Sequence, residues 1–312
     1  MTQISPAKVP TMYFIGVSTR QSSIMRVFPL WMRALERTQT VICGIDLPLH
    51  ADPAAYRAVV RFIRDDPLSL GALVTTHKID LFNACEDLFD EIDPYASQLR
   101  EVSGIYKSGG RFCACAKDPI SSGLALEAFV PERFWAEHGG QALLLGAGGS
   151  SLAMSLYLTS AARRDDVPRV ITIANRSKPR LAAAEPMLMH LNPSVAFRFV
   201  HCPSPAGNDA LVSALPPYSL VVNATGLGKD APGSPVTDGA VFPENSLVWE
   251  INYRGDLLFK AQAEAQAVAR NLHVEDGWTY FIHGWTQVIG EVLHIPMDQK
   301  TVAMLSAAAR AR

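Results

Sequence analysis

Three closely spaced glycines, Gly146, Gly148 and Gly149, follow an apolar run at 142–145 and precede an uncharged helical pattern at 150–162. The order predicts a strand, a tight turn and a helix N-terminus. Gly146 would make the turn, and Gly148 would let backbone N–H groups approach a phosphate. The helix N-terminus would face that phosphate with its partial positive charge. The chemistry is dinucleotide binding, with Ala147 and Ser150 completing the turn. Ser151 stands where a third glycine is usual, and a small side chain still permits close helix–strand packing. A second β-type run, 170–174, ends at Asn175-Arg176-Ser177-Lys178, with Arg180 beyond and no acid before Glu185. NAD sites place Asp or Glu there for the ribose 2′-OH. A guanidinium instead forks onto a 2′-phosphate. The residues therefore point to NADP as cofactor. The competing readings are a ligand-free glycine turn, a basic surface turn and, because residues 139–162 carry no charge, a membrane span. A span needs ~20 predominantly apolar residues, and these glycines cluster where a turn is needed.

The whole chain suits an enzyme of this kind. Its 312 residues suggest two domains, and 48% hydrophobic content supports large cores. A net charge of −2 gives no signal for nucleic acid or anionic membrane. The five cysteines (Cys43, Cys85, Cys113, Cys115, Cys202) show neither a disulfide framework nor a zinc spacing, so no metal is expected. The first ten residues lack the apolar core of a signal peptide, and a reducing cytoplasmic setting is expected.

Elements to position the site can be read on both sides of the glycine turn. Before it, β-type runs at 11–17, 41–47 and 70–75 alternate with helical patterns at 24–35, 53–63 and 79–92. Pro29 should kink or shift the first helix. The helix at 79–92 is the most amphipathic, with Leu81, Phe82, Cys85, Leu88, Phe89 and Ile92 on one face. Runs at 102–106 and 111–115 flank Lys107-Ser108-Gly109-Gly110, a hairpin signal. A helix at 121–129 leads onward. After the turn, strands are expected at 197–200, 219–223, 247–253 and 272–274, and helices at 257–270, 280–292 and 299–309. Asp298 would cap the last. Alternation of this kind is an α/β architecture.

In that order, the motifs resemble the shikimate dehydrogenase family across nearly the whole chain. Gly16 and the hydroxyl loop through Ser22 look like its opening strand and serine motif. Val74-Thr75-Thr76-His77-Lys78 is similar to its Val-Thr-Ile-Pro-His-Lys, Val102-Ser103-Gly104 to its Val-Asn-Thr, and Lys117-Asp118-Pro119 to its Thr-Asp-Gly. Gly146-Ala147-Gly148-Gly149, Asn175-Arg176-Ser177, Asn223-Ala224-Thr225 and Asp276-Gly277 continue the match. The resemblance implies an NADP-dependent alcohol dehydrogenase of two domains. An N-terminal α/β substrate domain (1–118, completed by 278–312) would face a Rossmann-type, doubly wound nucleotide domain (119–277). It implies Lys78 and Asp118 as the catalytic pair, and Asn223, Thr225 and Gly226 as further cofactor contacts. It implies Ser22, Ser23, Thr75, Ser103, Tyr253 and Gln287 around the substrate.

The sequence departs from the family in that pocket. Ile24 replaces one serine unless Ser23 takes its place after a slip, Val74 and Ser103 stand at the threonine and asparagine positions unless Thr75 takes the threonine's place, and Gly284 takes the late glutamine's place, with Gln287 about one turn on. Ala116 replaces the asparagine before Asp118. Unpaired buried polar groups cost ~1–3 kcal/mol each, so several such losses would weaken binding of a polyhydroxylated acid. The expected activity is reversible hydride transfer between NADP(H) and a cyclic hydroxy acid such as shikimate, in the shikimate pathway of aromatic amino acid biosynthesis. A diverged enzyme for quinate or another cyclic alcohol, or a non-catalytic NADP(H) sensor, are the alternatives. The partner is a small molecule, with oligomeric state open between monomer and homodimer.

Overall fold

The structure, a computed structural model, describes residues 5–228 and 231–310. The chain divides into two compact units, Met1–Lys117 with Ile282–Arg312, and Asp118–Phe281.

The first unit runs β1 (Thr11–Gly16), α1 (Ile24–Ala34), β2 (Val41–Asp46), α2 (Pro53–Asp65), β3 (Ser69–Val74), α3 (Lys78–Cys85), β4 (Glu91–Ile92), α4 (Pro94–Leu99), β5 (Gly104–Ser108) and β6 (Arg111–Cys115). Its sheet has the order β2-β1-β3-β5-β6-β4. β1 lies parallel to both β2 and β3, and every residue of it is buried. The expected hairpin is present as antiparallel β5 and β6. α1 continues through Pro29.

The long helix expected at 79–92 is not formed. α3 ends at Cys85, and Glu91–Ile92 pair in parallel with Cys113 and Ala114. Asp90 secures the exit: its N–H donates to the Phe112 carbonyl and its carboxylate accepts the Phe112 N–H, each at 2.8 Å. Phe89 stacks on Phe112 at 5.3 Å. The open edge of β6 offers hydrogen bonds that helical periodicity cannot register. α4 is an addition to the expected elements, although Asp93-Pro94 is a helix-start signal; the Asp93 side chain accepts the Ala96 N–H at 2.6 Å.

The second unit runs α5 (Asp118–Glu127), α6 (Phe134–His138), β7 (Ala142–Leu145), α7 (Gly149–Leu158), β8 (Val170–Asn175), α8 (Lys178–Leu188), β9 (Ala196–His201), α9 (Pro205–Ser213), β10 (Leu220–Asn223), β11 (Leu247–Glu250), α10 (Leu258–Glu264), α11 (Ala267–Arg270) and β12 (His273–Glu275). Its sheet is parallel throughout, in the order β9-β8-β7-β10-β11-β12. Counted within the unit this is 3-2-1-4-5-6, the doubly wound dinucleotide-binding order, which reverses between β7 and β10. The core joins Leu143, Leu145, Val221, Val248, Phe242 and Phe259. The strand expected to reach 253 stops at Glu250, and the helix at 257–270 breaks into α10 and α11. At the break Gln266 faces the 240–242 segment: its Nε2 donates to the Ala240 carbonyl at 2.8 Å and its Oε1 accepts the Phe242 N–H at 3.2 Å. α8 and α9 are further additions, in stretches with no clear apolar period.

α12 (Trp278–Leu293) starts in the second unit and ends in the first. α13 (Gln299–Arg310) follows, its N-terminus capped by Asp298, which accepts the Thr301 N–H at 2.7 Å. Within the first unit, Trp31 Nε1 donates to the Leu305 carbonyl at 2.7 Å and pins α1 to α13. Among the described residues no helix is long and apolar enough to cross a membrane, and the uncharged stretch from 139 to 162 contains β7, a turn and α7. No cluster of side chains that could hold a metal exists among the described residues, and all five cysteines are free thiols.

Candidate active site

The glycine turn sits where the sheet order reverses. Gly146 has φ +118°, and its N–H donates to the Ala174 carbonyl of β8 at 2.8 Å. On its other side Ala224 donates to the Leu145 carbonyl at 2.8 Å, which ties the ends of β7 and β10 together. A Cβ at Gly146 would lie 2.5 Å from the Ala224 carbonyl oxygen, so a side chain is excluded by conformation and by contact. At Gly148 a Cβ would meet nothing within 4 Å. That residue is the N-cap of α7 and provides no side-chain cap, so the first N–H groups of the helix remain for a ligand.

Ser151 does more than fit. Its buried hydroxyl donates to the Gly146 carbonyl at 2.7 Å and braces the turn from below. Ser155 and Thr159 repeat the device one and two turns on, donating to the Ser151 and Ser155 carbonyls. Ser150 is half-buried, and its hydroxyl accepts from Tyr280 at 3.4 Å. Further along α7, Gly123 of α5 leaves room for the Tyr157 ring, which a Cβ there would approach to 2.3 Å.

β8 ends beside this turn. Arg176, Lys178 and Arg180 are exposed, Asn175 and Ser177 half-buried, and none of the three cations is in an ion pair among the described residues. Lys178 opens α8, whose N-cap Ser177 makes no side-chain cap bond. Three free cations with no carboxylate between them fit a phosphate ester next to a pyrophosphate cradle. The turn, the open helix end and this cluster therefore fit a phosphorylated dinucleotide.

The loop after β10 is built from inside. Asn223 is 0% exposed; its Oδ1 accepts from the Thr225 N–H and hydroxyl, at 3.1 and 2.7 Å. Its Nδ2 donates to the Leu227 carbonyl at 3.3 Å and to Glu250 at 2.6 Å. Glu250, also 0% exposed, accepts the N–H and Nδ2 of Asn252 at 2.8 and 2.6 Å. Asn223 is thus a brace for the loop, which leaves Thr225, exposed, and Gly226, at φ +79°, as its outward members. Glu250 and Asn252 were missed by sequence reasoning; a carboxylate closing the apolar run Leu247–Glu250 was the available signal. Tyr253 packs at 4.3 Å from the Phe281 ring and 6.1 Å from Trp278. Asp118 is 9% exposed and opens α5.

In the first unit Lys78 is half-buried and is the first residue of α3. The turn before it is fixed at several points. The Thr75 N–H donates to the Ile15 carbonyl at 3.0 Å, Thr76 has φ +60°, and the Val102 N–H donates to the Lys78 carbonyl at 3.1 Å. Thr75 stands half-buried beside Gly16, with its methyl 3.2 Å from where a Cβ on that glycine would be. Ser22 and Ser23 lie half-buried at the N-terminus of α1, their hydroxyls unpartnered among the described residues. Ile24 and Val74, in place of polar family residues, are both 0% exposed. Ser103 is occupied within its own domain: its hydroxyl accepts the Lys117 N–H at 2.7 Å and donates to the Cys115 carbonyl at 3.4 Å. It therefore belts the ends of the hairpin rather than offering a free donor. Gln287 is half-buried on α12, and one turn on Glu291 forms an ion pair of 2.5 Å with Lys117, the residue before Asp118.

No protein-family model matches the chain. In sequence it is similar to the shikimate dehydrogenase (NADP(+)) of Symbiobacterium thermophilum, 31% identical over 188 residues. That match covers 60% of this chain and spans 60% of the relative's own length. In structure it is similar to shikimate 5-dehydrogenase from Thermus thermophilus in complex with NADP(H) and shikimate, with a TM-score of 0.69 and 22% identity over 96% of this chain and 98% of that one. Quinate dehydrogenase from Corynebacterium glutamicum in complex with NAD has a TM-score of 0.71 and 19% identity, covering 96% and 98%. The sequence relatives are thus shikimate dehydrogenases, and the fold is that of shikimate and quinate dehydrogenases.

Proposed function

We propose that the chain is an NADP(H)-dependent alcohol dehydrogenase of the shikimate dehydrogenase type, interconverting a cyclic hydroxy acid and its ketone. One observation carries the reading. A glycine turn at the sheet's reversal point stands beside three unpaired cations and no acid, in a chain whose sequence relatives are named shikimate dehydrogenase (NADP(+)). The backbone N–H groups of residues 147–150 would hold the pyrophosphate, and Arg176, Lys178 and Arg180 would hold the 2′-phosphate. The braced Thr225–Gly226 loop, rather than Asn223 itself, borders the nicotinamide.

When bound, the nicotinamide supplies the hydride acceptor. The chain's own residues manage the proton. Lys78, neutral, accepts the proton of the substrate hydroxyl as the C–H bond is lost, and returns it to the oxygen in the reverse direction. The family resemblance supports Asp118 as the acceptor of a hydrogen bond from a substrate hydroxyl next to the reacting one. Ser22 and Ser23, with the α1 N-terminus, receive the carboxylate, while Thr75, Tyr253 and Gln287 border the ring.

Ile24 and Val74 favour a second substrate reading within the same chemistry. By the family resemblance these apolar side chains replace polar ones unless Ser23 and Thr75 take their places, and the reading this supports is a ring with another hydroxyl pattern, as in quinate or another cyclic alcohol. An NADP+-coupled screen of shikimate, quinate and related cyclic acids tests both readings. Tight NADPH binding with no turnover of any of them would sink the dehydrogenase assignment and leave a nucleotide sensor.

A further inference from the structure

His77 separates the strained turn from Lys78, and it is 1% exposed. A histidine next to a surface turn would ordinarily reach solvent; this one is turned into the domain. Its Nδ1 lies 2.9 Å from the Tyr56 hydroxyl of α2. Its Nε2 is buried with no hydrogen-bond partner among the described residues, and the backbone carbonyls of Gly16, at the end of β1, and Leu47, just past β2, act on the ring. Carbonyls can only accept, so they favour the tautomer with the hydrogen on Nε2 and the lone pair on Nδ1. In that arrangement Tyr56 donates to Nδ1, and Asp80, on α3, is the competing acceptor for the same hydroxyl. Burial raises the Tyr56 hydroxyl above the usual phenol range, which keeps that proton in place. The backbone of His77 is engaged as well: its N–H donates to the Thr75 carbonyl at 2.5 Å, and its carbonyl accepts the Leu81 N–H at 2.8 Å in α3.

We propose that His77 is a positioning residue for Lys78, its buried neutral imidazole tying the turn to the Tyr56 hydroxyl of α2 so that the turn aims the lysine. The inference rests on the reading of Lys78 as the proton acceptor. One buried side chain then ties the base-bearing turn to α2, which offsets the unfavourable φ of Thr76. Protonation would place a second N–H on the ring, opposite a hydroxyl whose own proton points at it, and the bridge to α2 would open. Burial already pulls His77 below the usual histidine range. The other charged groups acting on it are Asp80, on α3, which favours protonation, and His50, paired with Asp80 at 3.0 Å, which opposes it.

The test uses the full chain. Nitrogen NMR of the imidazoles gives tautomer and pKa for wild type and Tyr56→Phe, and NADP+-coupled oxidation of shikimate or quinate gives kcat against pH. Expected are a neutral Nε2–H tautomer in wild type and a His77 pKa that rises in Tyr56→Phe, because the neutral ring has lost its donor. The acid limb of kcat should follow that rise, kcat should fall about tenfold to a hundredfold, and NADPH affinity should stay unchanged. In His77→Gln, which keeps a donor towards the carbonyls and cannot titrate, this acid limb should vanish. An Nδ1–H tautomer, or an acid limb that stays put while the His77 pKa moves, overturns the proposal. Full turnover in Lys78→Ala would overturn the base assignment and this inference with it; loss in Lys78→Ala beside unchanged kcat in Tyr56→Phe overturns the inference alone. The spectrum needs no substrate, so it decides the imidazole arrangement independently of turnover.

Discussion

Replacing Lys78 with alanine removes the amine assigned as proton acceptor. A general acid or base typically contributes 10²–10⁴-fold, so kcat should fall by about that factor in stopped-flow or steady-state assays. Because the proposed NADPH site lies in the other unit, cofactor binding should be unaffected. Arg176 predicts a complementary split. A charge-assisted hydrogen bond is worth ~1.5–3 kcal/mol, so Arg176→Ala should weaken NADPH binding about 10- to 100-fold while NADH affinity stays unchanged, as read by fluorescence titration. Equal loss for both cofactors would mean the guanidinium holds no 2′-phosphate. Arg176 was named from the sequence because charge and spacing survive without coordinates, whereas Lys78 was named only through the family resemblance. The roles of Asn223 and Ser103 were not, since only the structure shows both side chains consumed by their own loops.

At the scale of elements, the strand–turn–helix unit from β7 to α7 depends on backbone shape more than on side chains. Gly146→Ala puts a Cβ against the Ala224 carbonyl and a non-glycine residue at φ +118°. Backbone strain of this type costs ~1–3 kcal/mol before any clash, and the turn must also shift. We expect a lowered melting temperature by calorimetry together with loss of NADPH binding. Gly148→Ala has open space and an extended backbone, so it should retain the melting temperature while losing affinity through the ligand alone. Helix and strand types were readable where the apolar period was strong. The period failed at residues 86–92, where hydrogen bonds from the edge of β6 outweighed a continued helix, and at 251–253, where Asn252 and Gly277 turn the chain away from the sheet.

For the molecule as a whole, the buried imidazole sets a pH dependence. Burial holds His77 below its unfolded value of about 6.5, so between the two values the unfolded chain binds more protons than the folded one. Stability therefore rises with pH across that window and is lost as pH falls from about 6.5 towards the folded value. Urea unfolding between about pH 5 and 7 should show this slope in wild type and a shallower one in His77→Gln. An equal slope in both would mean that His77 titrates alike in the folded and unfolded chain.

By itself the sequence determined the α/β alternation, the glycine turn, the basic strand end and the order of motifs. Each of these is local, set by residue types within one turn or strand. The tertiary structure decided what each side chain is left free to do. It brought the ends of β7, β8 and β10 together, spent Asn223 and Glu250 on an internal brace, and buried Ile24 and Val74 completely. It also turned His77 inward onto Tyr56, a partner 21 residues away. Hydrogen-bond satisfaction and burial are properties of contacts between distant segments, and no local pattern along the chain encodes them.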